Sequence, residues 1–410
     1  MLTILIVTVI FPEHGLATLA AMKTSELRIL FVVDAIQGRN GVGTYFQDLV
    51  AHLDERVAQV ELVSPRLGQP HPCQGLSLPM PGDPTQRLFL PRMRWLTQQI
   101  MTMKPHVIVI PGPGIFSFAA SWIAARLGIP VCVTHQTDYN SLVNLYWRGW
   151  FAGVARRALG WLNRWMFRRA ASVATISEPM MNQLRELGIF SPHLVGTPLA
   201  PQFIQSPVTE PSGTISRILF VGRLAAEKNL DQFLALSKMR PDLQFSVVGD
   251  GPLRAMVERH VRQQSNLQFH GWCSRETVVK QVDQHDLLIL PSAVEAFGTV
   301  ALEAMARRRL VMVTPACGIN DWPQLVGGLF VMQAQESPAM ALQRLEQMPP
   351  ILRRQMVLEG ERAAREINEQ CLGQWSQVLR IAARQAPNLP RPLPSPAFAL
   401  LRRLAATAEI

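Results

Sequence analysis

Glu295 and Glu303 stand eight residues apart in Glu-Ala-Phe-Gly-Thr-Val-Ala-Leu-Glu, just after an apolar run that ends at Leu290. That spacing is roughly two helical turns, so the two acids share a face if a helix begins at once. If Glu295 sits on the loop instead, it can face a sugar while Glu303 faces a nucleotide ribose. Phe297, Gly298 and Thr299 would then offer N–H groups at the helix start to phosphates. As bare carboxylates, the pair also suits helix-dipole partners or surface residues.

A second group is cationic. Arg223 follows Gly222 after the run Ile218 to Val221, and Lys228 comes five residues later in Gly-Arg-Leu-Ala-Ala-Glu-Lys-Asn. Two cations beside a strand-to-helix turn can neutralise a diphosphate leaving group; two solvated surface cations are the plainer reading. Gly41-Val42-Gly43 also follows a strand, and such glycine loops let backbone N–H groups approach phosphate or sugar oxygens. A tight turn would look the same.

These residues need a scaffold, and the apolar runs supply its outline. Leu27 to Val33, Val107 to Ile110, Val131 to Thr134 and Ser172 to Ile176 alternate with helix-like stretches, as in a parallel sheet wrapped by helices. Ile218 to Val221, Phe245 to Val248, Leu287 to Leu290 and Leu310 to Val313 repeat the pattern. The expected organisation is an N-terminal extension at 1–26, an acceptor-side domain at 27–199, a Pro/Ser/Thr-rich linker at 200–216 and a nucleotide-sugar domain at 217–368. A helix at 369–386 that crosses back and a Pro-rich basic tail at 387–410 complete it. Met22, followed by Lys23 and the first apolar strand, is the expected natural start. Met1 to Phe11 lacks the basic flank of a signal peptide and is too short to span a bilayer.

The chain has 410 residues, 48% hydrophobic and 17% charged, enough for two well-packed domains. Its net charge of +10 favours a polyanionic partner. The five cysteines are scattered without a CxxC pair, so neither a zinc site nor a disulfide framework is indicated, and a reducing compartment fits.

Five motifs occur in order between about Leu27 and Arg384: Gly41-Val42-Gly43; Val221-Gly222-Arg223 with Lys228; Val248-Gly249-Asp250-Gly251-Pro252; Phe269-His270-Gly271; and the two glutamates. Together they resemble the retaining glycosyltransferases of family four, which include bacterial mannosyl- and glucosyltransferases. The resemblance implies an α/β chain of GT-B type, with two Rossmann-like doubly wound domains facing a cleft. It implies that Arg223 and Lys228 bind the donor diphosphate, Glu295 holds the transferred sugar's hydroxyls, Glu303 binds ribose and Trp272 lies near the base. Gly43, Gly251, Phe297, Gly298 and Thr299 would complete the donor site. No cofactor and no metal are expected, and UDP-glucose or GDP-mannose is the expected donor. Attack would come on the face from which the diphosphate leaves, with the leaving phosphate helping to deprotonate the acceptor.

Relatives that glycosylate lipids carry a His-Thr-Asp/Asn-Phe segment, where this chain reads Thr134-His135-Gln136-Thr137-Asp138-Tyr139. Strict alignment puts Gln136 at the histidine position, and a one-residue bulge puts His135 there. His135 is taken here as the catalytic imidazole beside Glu295; a satisfied core histidine is the alternative. A second departure is Pro315-Ala316-Cys317-Gly318-Ile319, where relatives have Gly-Gly and then Glu, which leaves the sugar open.

Between Asp138 and Glu178 there is no acid, while Arg148, Arg156, Arg157, Arg164, Arg168 and Arg169 accompany Trp147, Trp150, Trp161 and Trp165. At helical spacing, Trp161 and Trp165 share a face with Val154 and Ala158, flanked by arginines. That suits a helix lying on anionic lipid, or tryptophans packed inside with a solvated arginine rim. The expectation is an enzyme peripheral on the cytoplasmic face of the inner membrane, with a lipid acceptor such as diacylglycerol and no nucleic-acid partner. A same-fold transferase with a soluble or polysaccharide acceptor, or a non-catalytic scaffold, are the rivals.

Overall fold

The computed structural model describes residues 22–36, 41–67, 71–80, 83–136 and 150–385. The suspected start region before Met22, Thr137 to Tyr139, Trp147, Arg148 and the Pro-rich tail lie outside the described residues, as do the side chains of Trp150, Val154, Arg156 and Ala158. The chain forms two compact units. Of the described residues, one gathers those within Met1–Gly82, Gln86–Val195 and Leu372–Ile410; the other comprises Asp83–Thr85 and Gly196–Cys371.

In the first unit, β1 (Arg28–Val32), β2 (Gln59–Val63), β5 (Val107–Ile110), β6 (Val131–His135), β7 (Ser172–Thr175) and β8 (His193–Leu194) form a parallel sheet in the order β2–β1–β5–β6–β7–β8. β3 (Gln74–Met80) and β4 (Asp83–Pro91) pair as a separate ribbon. The central strands are buried along their length, which is why they read as unbroken Val/Ile runs. Helices α1 (Gly41–Leu53), α2 (Met93–Met103), α3 (Ile115–Leu127), α4 (Trp150–Phe167) and α5 (Glu178–Glu186) connect them. Leu30, Ile108, Phe116, Ile123 and Phe167 belong to one core.

The second unit repeats the plan. β9 (Arg217–Val221), β10 (Gln244–Val248), β11 (Leu267–Gly271), β12 (Leu287–Leu290), β13 (Leu310–Val313) and β14 (Phe330–Val331) lie parallel in the order β11–β10–β9–β12–β13–β14. Its helices are α6 (Pro201–Gln205), α7 (Leu230–Met239), α8 (Arg254–Val261), α9 (Arg275–Gln284), α10 (Thr299–Ala306), α11 (Pro338–Gln347) and the long α12 (Pro350–Arg384).

The boundary differs from the sequence expectation. The stretch expected as linker, 200–216, belongs to the second unit, which starts at Gly196. The reason is packing that composition hides. Phe203 of α6 is fully buried, the Leu199 N–H donates to Asn368 Oδ1 at 2.9 Å, and the buried Arg307 guanidinium donates to the carbonyls of Ser206 and Pro207 at 2.7 and 2.5 Å. The expected final helix is likewise longer, because Pro350 opens it at a position where its missing N–H costs nothing.

The buried face of α12 carries Ala364, Ile367, Cys371, Trp375, Val378 and Ala382 at three- and four-residue steps. Residues from Leu372 onward group with the first unit, where the Trp375 Nε1–H donates to Tyr45 Oη of α1 at 2.7 Å. Trp375→Phe removes that donor from a buried pair, so it should lower stability by about 1–2 kcal/mol in denaturant unfolding. An unchanged midpoint would show the bond to be energetically idle.

Candidate active site

In the second unit the strand order reverses between β9 and β12, and open α/β sheets bind ligands at such a point, beyond the carboxyl ends of the strands. Arg223 leaves β9 there, and a single helical turn, Ala226–Lys228, carries the cationic pair onward. The loop leaving β12 is tied to that turn, since the Ala293 and Val294 N–H groups both reach the Glu227 carbonyl, at 2.9 and 3.3 Å. The result is an ion pair between Lys228 Nζ and Glu295 Oε2, with the two side chains only 17% and 16% exposed. Arg223 joins the group through Glu227, 3.2 Å away.

Burial alone would depress the Lys228 pKa, but Glu295 and then Glu227 outweigh it and hold the ammonium above its ordinary value. Lys228 is thus a fixed cation at neutral pH. Burial, with Glu295 alongside, pushes the Cys317 thiol up to about 11, so it stays neutral.

Glycines set how closely the loops approach. A Cβ on Gly249 would lie 1.8 Å from the Gly222 carbonyl oxygen, and one on Gly251 would lie 2.5 Å from that of Leu224. With no side chains in the way, the Gly222 and Leu224 N–H groups donate to the carbonyls of Val248 and Asp250, each at 3.0 Å. Gly251 therefore has a structural reason to be glycine, whatever it binds. Gly318 meets the same constraint against Ala296, and its N–H donates to the Glu295 carbonyl at 2.9 Å.

Glu295 lies on the loop, and α10 begins only at Thr299, so the two glutamates do not share a helical face. Gly298 turns the chain at φ 95°, in the left-handed region. Phe297 is buried with its ring against Trp322, centroids 6.1 Å apart. Glu303 sits on α10, 2% exposed, and its carboxylate pairs with Arg275 of α9 at 2.8 Å. Burial raises its pKa, and Arg275 works in the opposite direction. Trp272, just past β11, is 48% exposed.

The other candidates belong to the first unit. Gly43 lies inside the first turn of α1, which Gly41 opens, and not on a loop as the sequence suggested. His135 ends β6, 5% exposed, with Nε2 3.0 Å from Gln183 Oε1 of α5 and its ring edge against Phe167 at 5.7 Å. Gln136 is equally buried, and its amide nitrogen has no hydrogen-bond partner among the described residues.

Three groups here escaped sequence reasoning. Glu227 was passed over although it lies between the two cations. Arg275 had no signal, since only folding brings it to Glu303. Asp34, just past β1, accepts from the Phe116 and Ser117 N–H groups at 2.7 and 3.1 Å and from Ser117 Oγ at 2.6 Å, capping α3. Burial raises its pKa against those donors.

Residues 40–200 match the family described as Glycosyl transferase 4-like domain, and residues 204–362 match Glycosyl transferases group 1. The chain belongs to the GT-B glycosyltransferases of family-four type. The chain is 24% identical over 301 residues to a sulfoquinovosyl transferase of Arabidopsis thaliana, across 69% of its own length. It spans 58% of that relative, and 58% and 60% of two others it matches. Among solved structures it is similar to sucrose-phosphate synthase of Thermosynechococcus elongatus, with TM-score 0.62 and 16% identity over 86% of this chain and 98% of the other. It is also similar to HepE of Anabaena in complex with UDP-glucose, with TM-score 0.59 and 15% identity over 86% and 100%. These likenesses support the fold.

Proposed function

We propose that this glycosyltransferase moves a hexose, glucose or mannose, from a nucleoside diphosphate sugar to a membrane lipid such as diacylglycerol, with retention at the anomeric carbon. The observation that carries the donor half is the Lys228–Glu295 pair at the point where the strand order reverses, with Arg223 beside it. A diphosphate draws Lys228 and Arg223, while Glu295, released from its cation, accepts hydrogen bonds from sugar hydroxyls. As the bond from the anomeric carbon to the diphosphate oxygen breaks, the two cations and the start of α10 stabilise the leaving charge. The acceptor oxygen bonds to the anomeric carbon on the same face, and its proton passes to the departing diphosphate. Glu303 is assigned to the ribose, Trp272 to the base, and His135 to the acceptor side.

The lipid half rests on α4. Trp161 is 43% exposed, and Arg157, Arg164 and Arg168 are exposed with it. Trp165 instead packs on Phe118, centroids 5.2 Å apart, so the two tryptophans do not both face outward; that observation favours a soluble acceptor as the second reading. Among the described residues no helix is long and apolar enough to cross a membrane. Peripheral attachment to the cytoplasmic face of the inner membrane is the corresponding location.

The test is transfer from radiolabelled UDP-glucose, UDP-galactose and GDP-mannose, with and without anionic vesicles containing diacylglycerol. Label should enter the organic phase from UDP-glucose or GDP-mannose, and only with vesicles. Label passing only to added soluble glycans would favour the second reading, and no consumption of any donor would overturn the first.

A further inference from the structure

Residues 62–177 contain twelve Lys and Arg against two Asp and Glu, a surplus equal to the +10 of the whole chain. The rest of the protein is balanced, so its basic character belongs to this one stretch. The strand order shows where the helices described within that stretch lie in the first unit. Passing from β2 over β1 to β5, then to β6, then to β7 by right-handed crossovers puts α2, α3 and α4 side by side on one face of the sheet. Contact between Phe118 of α3 and Trp165 of α4 agrees.

Between α2 and α3 runs an apolar groove lined by Met93, Arg94, Thr97, Met101 and Trp122. Met101 is 48% exposed. On α3 an arginine stacks on the tryptophan of the groove, Arg126 over Trp122 at 3.8 Å. Arg92, Arg94, Arg126, Arg157 and Arg164 are exposed. The ribbon that enters α2 also presents Leu76, Leu78 and Leu88 to solvent. Exposed apolar side chains interleaved with cations are the chemistry of a bilayer interface, where indoles sit at headgroup depth and guanidinium groups meet phosphate.

We propose that the outer faces of α2, α3 and α4 form one docking surface for an anionic lipid bilayer, with the α2–α3 groove taking an acyl chain and the arginines the headgroup phosphates. The proposal rests on the lipid-acceptor reading of α4 and extends it to two helices whose sequences gave no such signal.

The experiment is cosedimentation of the full chain with vesicles of equal parts phosphatidylcholine and phosphatidylglycerol, and with phosphatidylcholine alone. The wild-type chain should bind the anionic vesicles, release them as salt rises, and ignore the neutral ones. Arg94→Glu with Arg126→Glu, and separately Met101→Asp, should each weaken binding about tenfold or more. Exposed positions make these variants mild for folding, which an unchanged melting curve checks. Wild-type binding that neither variant weakens would overturn the proposal and leave α4 as the contact. A wild-type chain that ignores anionic vesicles would overturn the membrane reading as well. Binding to duplex DNA in place of vesicles, or a dimer abolished by Met101→Asp, would assign the surface to another occupant and overturn the proposal.

Discussion

Lys228→Ala should lower kcat/KM for sugar transfer by about 10²–10³-fold, the loss that follows removal of one preorganised charge-stabilising group. The ammonium is held beside Glu295 with 17% of its side chain exposed, so no other cation among the donor-site residues is placed to replace it except Arg223, which Glu227 engages at 3.2 Å. Glu295→Gln should cost a similar factor by weakening the grip on the sugar. Both substitutions also break a largely buried pair and strand its partner, so a fall in activity alone could reflect a damaged loop. The double variant Lys228→Met with Glu295→Gln separates the two effects. It removes both charges together and should recover most of the melting temperature while activity stays low. Recovery of activity along with stability, or near-normal turnover in the single variants, would remove the pair from the mechanism.

The expected pH dependence follows the same division. The folded-state pKa of Lys228 is raised above its ordinary 10.5, so its stabilising contribution is fully present below 10.5 and is lost only as pH rises through the folded value. Across the neutral range the charge is constant. Any inflection in the pH–rate profile there should therefore survive Lys228→Arg.

What the sequence revealed follows from where its signals are local. β5 and β12 were legible because strands buried on both faces become continuous apolar runs. β2 was not, because Gln59 and Glu61 interrupt it on a half-exposed edge, and the β3–β4 ribbon carries glycine and prolines that read as loop. The cations and glutamates of the proposed donor site lie in short motifs, so their neighbourhood was readable. The contact of Lys228 with Glu295 spans 67 residues and needed the fold. Helical spacing put Trp161 and Trp165 together, but a face wide enough to hold both extends from solvent to core, and Trp165 turned toward Phe118. Asp34 gave no signal, since its partners Phe116 and Ser117 are more than eighty residues away.

The buried pair beneath α10 should respond asymmetrically. Glu303 is 2% exposed and Arg275 21%, with 2.8 Å between their charged atoms. Arg275→Ala leaves an ionised carboxylate with no access to water and no cation. At pH 8 that should destabilise the second unit by about 3–5 kcal/mol, equivalent to a fall of about 10 °C at some 2–4 °C per kcal/mol for a domain of this size. Glu303→Gln leaves Arg275 able to turn toward solvent and should cost far less. The sign of the pH dependence follows from burial, which already holds the Glu303 pKa above its ordinary 4.5. Without Arg275 the folded value rises further, so the protonated form is favoured in the folded state. The penalty of Arg275→Ala is then fully expressed above that folded value and fades as pH falls through it toward 4.5. Denaturant unfolding of both variants at pH 8 and pH 5 should show the gap between them narrowing at the lower pH. Nucleotide affinity should order the variants differently. If Glu303 accepts the ribose hydroxyls, Glu303→Gln weakens nucleoside diphosphate binding about tenfold or more although its fold is the sounder of the two. A Glu303→Gln protein with wild-type affinity would make the pair a prop for α10 and take ribose recognition away from it.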